Sequence, residues 1–434
     1  LTTTNSAITL NSPTSIATSL SMTAGTGTIT AGSLAAGANA LTLSGDQITF
    51  TGGAGSVTGT GAIVLQPGTA VQNIVINGAG GSAALDLTAA ETAALANGFS
   101  SITIGRADGT GAIDINAVTF QDPVTVRSPG GLVAVNGQLT GLDTVSVVGG
   151  SVALAAPVIA SGQTVTLTAA AGAITGAVGA QSDLTAANAT LTAATTIGTA
   201  ANPITTTIDQ LIASTSAGGI YITDTDALTI RTVTARGGDA VLATQFGDLT
   251  IRGNTVISTT GGVQLTAQGS ILAGTTGSHV VAATDSSLTA LTGWIGTLAN
   301  PLQVSVTGGS LSVSAGGASG SYSVVINGSV LPQNFLTIVG TLPGGCLFNG
   351  AFCFGTFPAG VTIPGTIFAY LNPLTSETSV QGLLPAAPAG PVQYVCQSVL
   401  RTKCRLLIGD PLLDGQTASA PSSAGISVAT SIPE

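Results

Sequence analysis

Residues 165–204 (VTLTAAAGAITGAVGAQSDLTAANATLTAATTIGTAANPI) recur in altered form as residues 263–302 (VQLTAQGSILAGTTGSHVVAATDSSLTALTGWIGTLANPL). Both copies keep Leu-Thr-Ala, Ile-Gly-Thr and Ala-Asn-Pro in the same order, with a one-residue slip at Leu191 and Leu288. A passage of this length that recurs marks stacked units, each burying its apolar face only against its neighbours. It therefore restricts the chain to a rod or a repetitive surface.

The units are made of strands. From Ile8-Thr9-Leu10 to about residue 340, short runs alternate apolar with small polar residues, as in Leu41-Thr42-Leu43, Ile48-Thr49-Phe50, Ile102-Thr103-Ile104 and Val145-Ser146-Val147. A period of two over so few residues is the pattern of a half-buried strand. Glycine-rich pieces such as Thr51-Gly52-Gly53 and Pro129-Gly130-Gly131 separate the runs and supply tight turns. Leu228-Thr229-Ile230 returns 21 residues later as Leu249-Thr250-Ile251, and Gly237-Gly238 returns 24 residues later as Gly261-Gly262. Coils of twenty-odd residues, with turns too small to hold helices, predict an all-β parallel β-helix, or β-solenoid. About 340 residues would give roughly fifteen turns and a rod near 70 Å long. A β-sandwich needs longer strands, hairpin signals and more aromatics than the 3% found here.

Two regions depart from this grammar. Thr88-Ala89-Ala90-Glu91 is a capping-box sequence followed by helix formers, so a helix is expected over 89–97, closed by Gly98, with Leu95 and Phe99 packed on the rod. After residue 340 the composition changes: ten of the 18 prolines, all four cysteines and Phe348, Phe352, Phe354 and Phe357 lie in the last 94 residues. Proline cannot donate to a strand ladder. The expected organisation is a rod over 1–340, a Pro/Cys-rich cap or assembly region over 341–415, and a Ser/Ala/Pro-rich tail over 416–434. In that tail, Ile426 and Val428 mark a strand that is available to its own rod or to a neighbour's.

Charge excludes several functions. The chain has 8 Lys plus Arg, 18 Asp plus Glu and a net charge of −10, and charged residues make up 6% of it; an average domain has about 25%. No basic patch for nucleic acid can be drawn. Mean hydropathy is +0.56, yet no stretch of about 18 apolar residues is free of Gly, Thr or Pro, so no transmembrane segment is expected. The apolar share of 44% is too high for a disordered chain. Leu1 opens directly in a Thr-rich repeat, which suggests a processed or excised part of something longer.

Cys346, Cys353, Cys396 and Cys404 are even in number and form two close pairs 7 and 8 positions apart. They fit disulfides and an oxidising, extracellular location. Three pairings are open; proximity favours Cys346 with Cys353 and Cys396 with Cys404. The alternative is four reduced, buried thiols. Zinc is disfavoured because CxxC spacing is absent.

Other candidates are weighed against plainer roles. His279 reads as a turn residue, and Asp224 with Asp226 as an outward polar face, although two carboxylates on one face also occur in sugar-cleaving or calcium sites. Arg106 and Asp108 lie in a turn with Gly109, and no phosphate-binding loop or calcium repeat is present. Asn188-Ala189-Thr190 and Asn327-Gly328-Ser329 match the short glycosylation pattern. Outward threonines such as Thr166 and Thr168 suit an ice-binding face, but irregular coil lengths favour their ordinary use in strands. Arg401, Lys403 and Arg405 crowd three of the eight basic residues into five positions and are candidates for contact with an acidic neighbouring subunit. Residues 85–111 (LDLTAAETAALANGFSSITIGRADGTG), the Ile-Gly-Thr-x-x-Asn-Pro passages at 197–203 and 295–301, and the Thr-rich coils around them resemble large filamentous-haemagglutinin-type exoproteins. The resemblance covers roughly residues 40–310. It implies a right-handed parallel β-helix, export across a Gram-negative outer membrane, and adhesion or matrix building.

These features point to a non-enzymatic extracellular structural protein, without cofactor or metal, that joins copies of itself head to tail into a surface fibre or biofilm matrix. The alternative is an adhesin segment that binds host or neighbour-cell glycans without polymerising. A polysaccharide-cleaving β-helix enzyme needs clustered Asp with Arg or Lys in a groove, and the basic residues here are too few.

Overall fold

The computed structural model describes residues 1–316 apart from 82, 180–181, 276–277, 298–299, 301 and 308–310; side chains of 253–255 are not described, and beyond 316 only the backbone of separate strands is. The chain is a β-solenoid of about 13 turns, all β except for a single helical turn and a half among the described residues. Parallel pairing starts at Ile8–Leu10, in register with Ile29–Ala31, and its last step puts Ile326 beside Phe348.

The alternation read from the sequence is what builds this ladder. Successive residues of a strand face opposite sides, so Ile, Val, Leu or Ala at every second position turns inward and Thr or Ser outward. One inward column runs through the first half of the rod: Met22, Leu43, Leu65, Ile104, Val126, Val147 and Leu167 stand in register, rung upon rung, all almost fully buried. Burial of each such side chain contributes about 1.5–3 kcal/mol. In the upper part each coil has three runs, for example Ile220–Asp224, then Leu228 to Ile230 and Thr232 to Ala235, which stack on three separate ladders.

The duplication survives in three dimensions. In the first copy Thr199 N–H donates to the carbonyl of Asn202 at 3.0 Å, and Asn202 N–H donates to Thr199 Oγ1 at 3.0 Å. Thr297 and Asn300 repeat both bonds at the same lengths in the second copy. Gly198 and Gly296, with φ of 63° and 66°, make the same left-handed step before each turn.

One coil is far longer than the rest. Val124, Val145 and Val165 are spaced by 21 and 20 residues, whereas Val57 and Leu95, which bridge neighbouring rungs, are 38 apart. The extra residues form Ile74–Gly78 and Leu85–Thr88, which pair with each other in parallel, and the helix Ala89–Ala94. The capping box is present: Thr88 Oγ1 accepts from Ala90 N at 3.2 Å, and the Glu91 carboxylate accepts from Thr88 N at 3.1 Å. The helix stops three residues before the expected 97. Leu95 turns extended and joins the ladder at Val57, and Ala96 N–H donates to the Val57 carbonyl, so the backbone is claimed by the sheet before Gly98 is reached.

Past Phe348 the pairing becomes antiparallel. Cys346–Phe348 pairs with Ala351–Cys353, and a five-stranded antiparallel sheet is formed by Ile367–Ala369, Glu377–Gly382, Gln393–Gln397, Lys403–Leu407 and Ser427–Ser431.

Candidate functional site

The corner that follows the strands Ile220–Asp224, Ala240–Thr244, Val263–Ala267 and Ser286–Ala290 gathers the most unusual side chains of the rod. These strands are in register, with Asp224, Thr244, Ala267 and Ala290 in line, so the turns after them also stack: 225–227, 245–248, 268–270 and 291–294. The next run is again in register through Leu228, Leu249, Ile271 and Ile295. Turns of three residues alternate with turns of four, and the four-residue turns project Phe246, Leu291 and Trp294, which are 68%, 47% and 49% exposed. Between them lies Gln268, half-buried.

At the lower edge of this corner stands the Asp224 and Asp226 pair. Both were expected on an outward polar face; the structure corrects this, because the strand ends at Asp224 and Asp226 already belongs to the turn. Asp224 is fully buried and Asp226 exposed. Asp224 Oδ2 accepts from Thr206 Oγ1 at 2.5 Å and from Ile208 N at 3.2 Å, and Oδ1 accepts from Asp226 N at 3.0 Å. Burial, with the Asp226 side chain beside it, pushes the Asp224 carboxyl up to about 7 against the opposing Thr206 bond. A carboxyl sealed below the surface cannot reach a solvent-borne substrate. Its chemistry here is that of a proton shared inside a turn.

The remaining candidates are dispersed. His279 begins the strand His279–Ala282 instead of occupying a turn, and its Nε2 lies 2.7 Å from Ser305 Oγ; burial lowers its pKa. Arg106 and Asp108 do form a turn, with Arg106 Nε and Nη2 donating to the Asp108 carboxylate at 2.8 and 3.0 Å, which holds that carboxyl below its ordinary value. Asn188 is part of the strand Leu184–Ala193, and Asn327 ends the strand Val324–Asn327. Thr166 is aligned with Ser146 and Thr190, so outward hydroxyls line up locally on the ladder.

The C-terminal candidates fall mostly on one sheet. Cys396 is opposite Cys404, and Lys403 and Arg405 are opposite Gln397 and Val395 on one side and Ser431 and Ala429 on the other. Val428 is opposite Leu406, and Cys346 is opposite Cys353 in the separate hairpin. Arg401 and Ile426 lie outside the described residues.

Among the described residues no three His, Cys, Asp or Glu side chains come together as a metal site, and no helix is long and apolar enough to cross a membrane. The sequence did not mark the aromatic corner, because Phe246 and Trp294 are 48 positions apart; only the register of three coils brings them to one corner, two rungs apart. No protein family, curated protein or solved structure matches the chain.

Proposed function

We propose that this protein is an extracellular structural protein of the filamentous-haemagglutinin type, whose rods join end to end into a surface fibre or matrix. The observation that carries the reading is the stack of parallel-paired coils, whose first pairing holds Ile8 and whose last holds Phe348. In such a ladder each coil contacts only its neighbours, so added sequence becomes added length. A rod of this kind suits a structural or adhesin-like role.

Charge supplies a means of assembly. Residues 1–340 hold 14 of the 18 acidic and 5 of the 8 basic residues, while Arg401, Lys403 and Arg405 cluster near Cys404. A basic strand on one copy is complementary to the acidic rod of another, and a contact between different surfaces does not close on itself. The four cysteines accord with an oxidising exterior.

Light scattering and electron microscopy of the oxidised protein test this. Fibres are expected at low ionic strength, shortening as salt screens the contact, and Lys403→Glu with Arg405→Glu should abolish them. A monomer at every salt concentration and pH, with disulfides intact, would refute assembly.

A further inference from the structure

We propose that the corner formed by residues 225–227, 245–248, 268–270 and 291–294 binds a neutral β-linked glycan with equatorial hydroxyls, laid along the rod axis with sugar rings against Phe246 and Trp294. The inference rests on the ladder alone and is independent of end-to-end assembly.

Three observations carry it. The first is exposure: Phe246 and Trp294 are large rings left 68% and 49% open to solvent on one corner, in a chain with 3% aromatics and a single tryptophan. Other exposed apolar residues, such as Val71, Val178 and Ile212, belong to other coils. The second is spacing. Stacked rungs are ~4.8 Å apart, and Phe246 and Trp294 are two rungs apart with Gln268 on the rung between. That repeat matches an extended β-linked chain, which advances by nearly one sugar ring per rung. The third is chemistry. Sugars with equatorial hydroxyls present flat C–H faces that rest on aromatic rings, while their edges need donors and acceptors. On the same corner Gln268 offers an amide, and the Thr292 hydroxyl, which donates to the Gln268 carbonyl at 2.6 Å, can still accept.

Charge and patch shape narrow the occupant. The four turns contain Asp226 and Asp248 and no Lys or Arg, so an anionic polysaccharide or anionic bilayer would be repelled. Asp248 is already engaged, accepting from Ser270 N at 2.7 Å. A protein partner would favour a contiguous apolar patch, but here polar residues separate the rings.

Trp294 is itself the probe, because no other tryptophan emits. With protein shown by scattering to be dispersed, cellohexaose should produce a saturable change in Trp294 emission. Cellobiose should bind at least tenfold more weakly. Phe246→Ala should weaken cellohexaose about 3- to 10-fold, the loss of one aromatic contact, with an unchanged melting temperature because the side chain is exposed. Trp294→Ala, followed by titration calorimetry, should lose binding by a similar factor. The proposal is overturned by any of four results: no saturable change up to the solubility limit, native affinity in both variants, tighter binding of polygalacturonate than of cellohexaose, or an emission change on raising protein concentration without sugar. The last would show that a second copy covers the corner.

Discussion

Asp183 Oδ2 accepts a hydrogen bond from the backbone N–H of Thr205 at 2.8 Å, one coil further along the rod. Its other oxygen accepts from Ala177 N at 2.7 Å. The same device recurs: Asp122 accepts from Gly98 and Phe99, Asp86 from Gly80 and Gly81, Asp239 from Gly262 and Asp248 from Ser270. Where the backbone turns a corner, its N–H groups leave the ladder, and a short carboxylate replaces the missing carbonyls. This accounts for an acidic chain with almost no Glu. Asp183→Ala leaves buried donors unmet and should cost about 1–3 kcal/mol, whereas Asp143→Ala, whose exposed carboxylate accepts only from Thr144, its neighbour in sequence, should cost well under 1 kcal/mol. Urea unfolding compares them; equal losses would remove the corner argument.

Asp224 gives stability a dependence on pH. Its folded pKa of about 7 lies above the ordinary 3.8, so the folded rod prefers the neutral acid. The resulting stabilisation is full below about pH 4 and is lost as pH rises to about 7. Asp183, also raised by burial, acts with the same sign, and His279, lowered by burial, acts with the opposite sign below 6.5. Asp224→Asn removes the titration at a fixed cost, because its amide nitrogen must face the N–H of Ile208 or of Asp226, both of which now donate to the carboxyl. Its melting temperature relative to the native protein should therefore rise from pH 4 to pH 8, by the equivalent of at most about 4 kcal/mol. A difference that does not vary with pH would contradict the shared proton.

Glycines separate backbone strain from close approach. Gly105 has φ of 99°, and a Cβ there would stand 2.1 Å from the Arg127 carbonyl of the next coil. Gly37 has φ of 56° and open space around it. Gly37→Ala should cost about 1 kcal/mol from backbone conformation alone, and Gly105→Ala on the order of 3 kcal/mol because the rungs must move apart. Thermal unfolding of the two variants measures the gap.

The ladder was legible because its code is local. Leu228-Thr229-Ile230 and Leu249-Thr250-Ile251 show both the strand period and the coil length, and the structure sets them in register. The Ile-Gly-Thr-x-x-Asn-Pro passages likewise announced one turn used twice. The excursion from Pro67 to Leu95 was visible only as a capping box. Nothing in Ile74–Gly78 or Leu85–Thr88 says that they pair with each other, since both read as ordinary rungs. Asp224 was misplaced for a related reason: a two-residue period holds only while the strand lasts, and it ends at that residue. The aromatic corner needs the register of successive coils, which no single window of sequence contains.

The cysteines test the far end of the chain. Three pairings fit the sequence, but Cys346 is directly opposite Cys353 in one hairpin and Cys396 directly opposite Cys404 in the antiparallel sheet. Opposed residues on antiparallel strands bring their Cβ atoms near disulfide reach. Peptide mapping of the oxidised protein should find Cys346–Cys353 and Cys396–Cys404. Each closes a short loop, so reduction should remove about 2–3 kcal/mol per bond from the C-terminal region and leave the melting of the rod, a sum of neighbouring coils, nearly unchanged. Crossed pairs, or four alkylated thiols, would count against this register, and loss of fibres on reduction with the rod still folded would locate assembly in the Cys-bearing end.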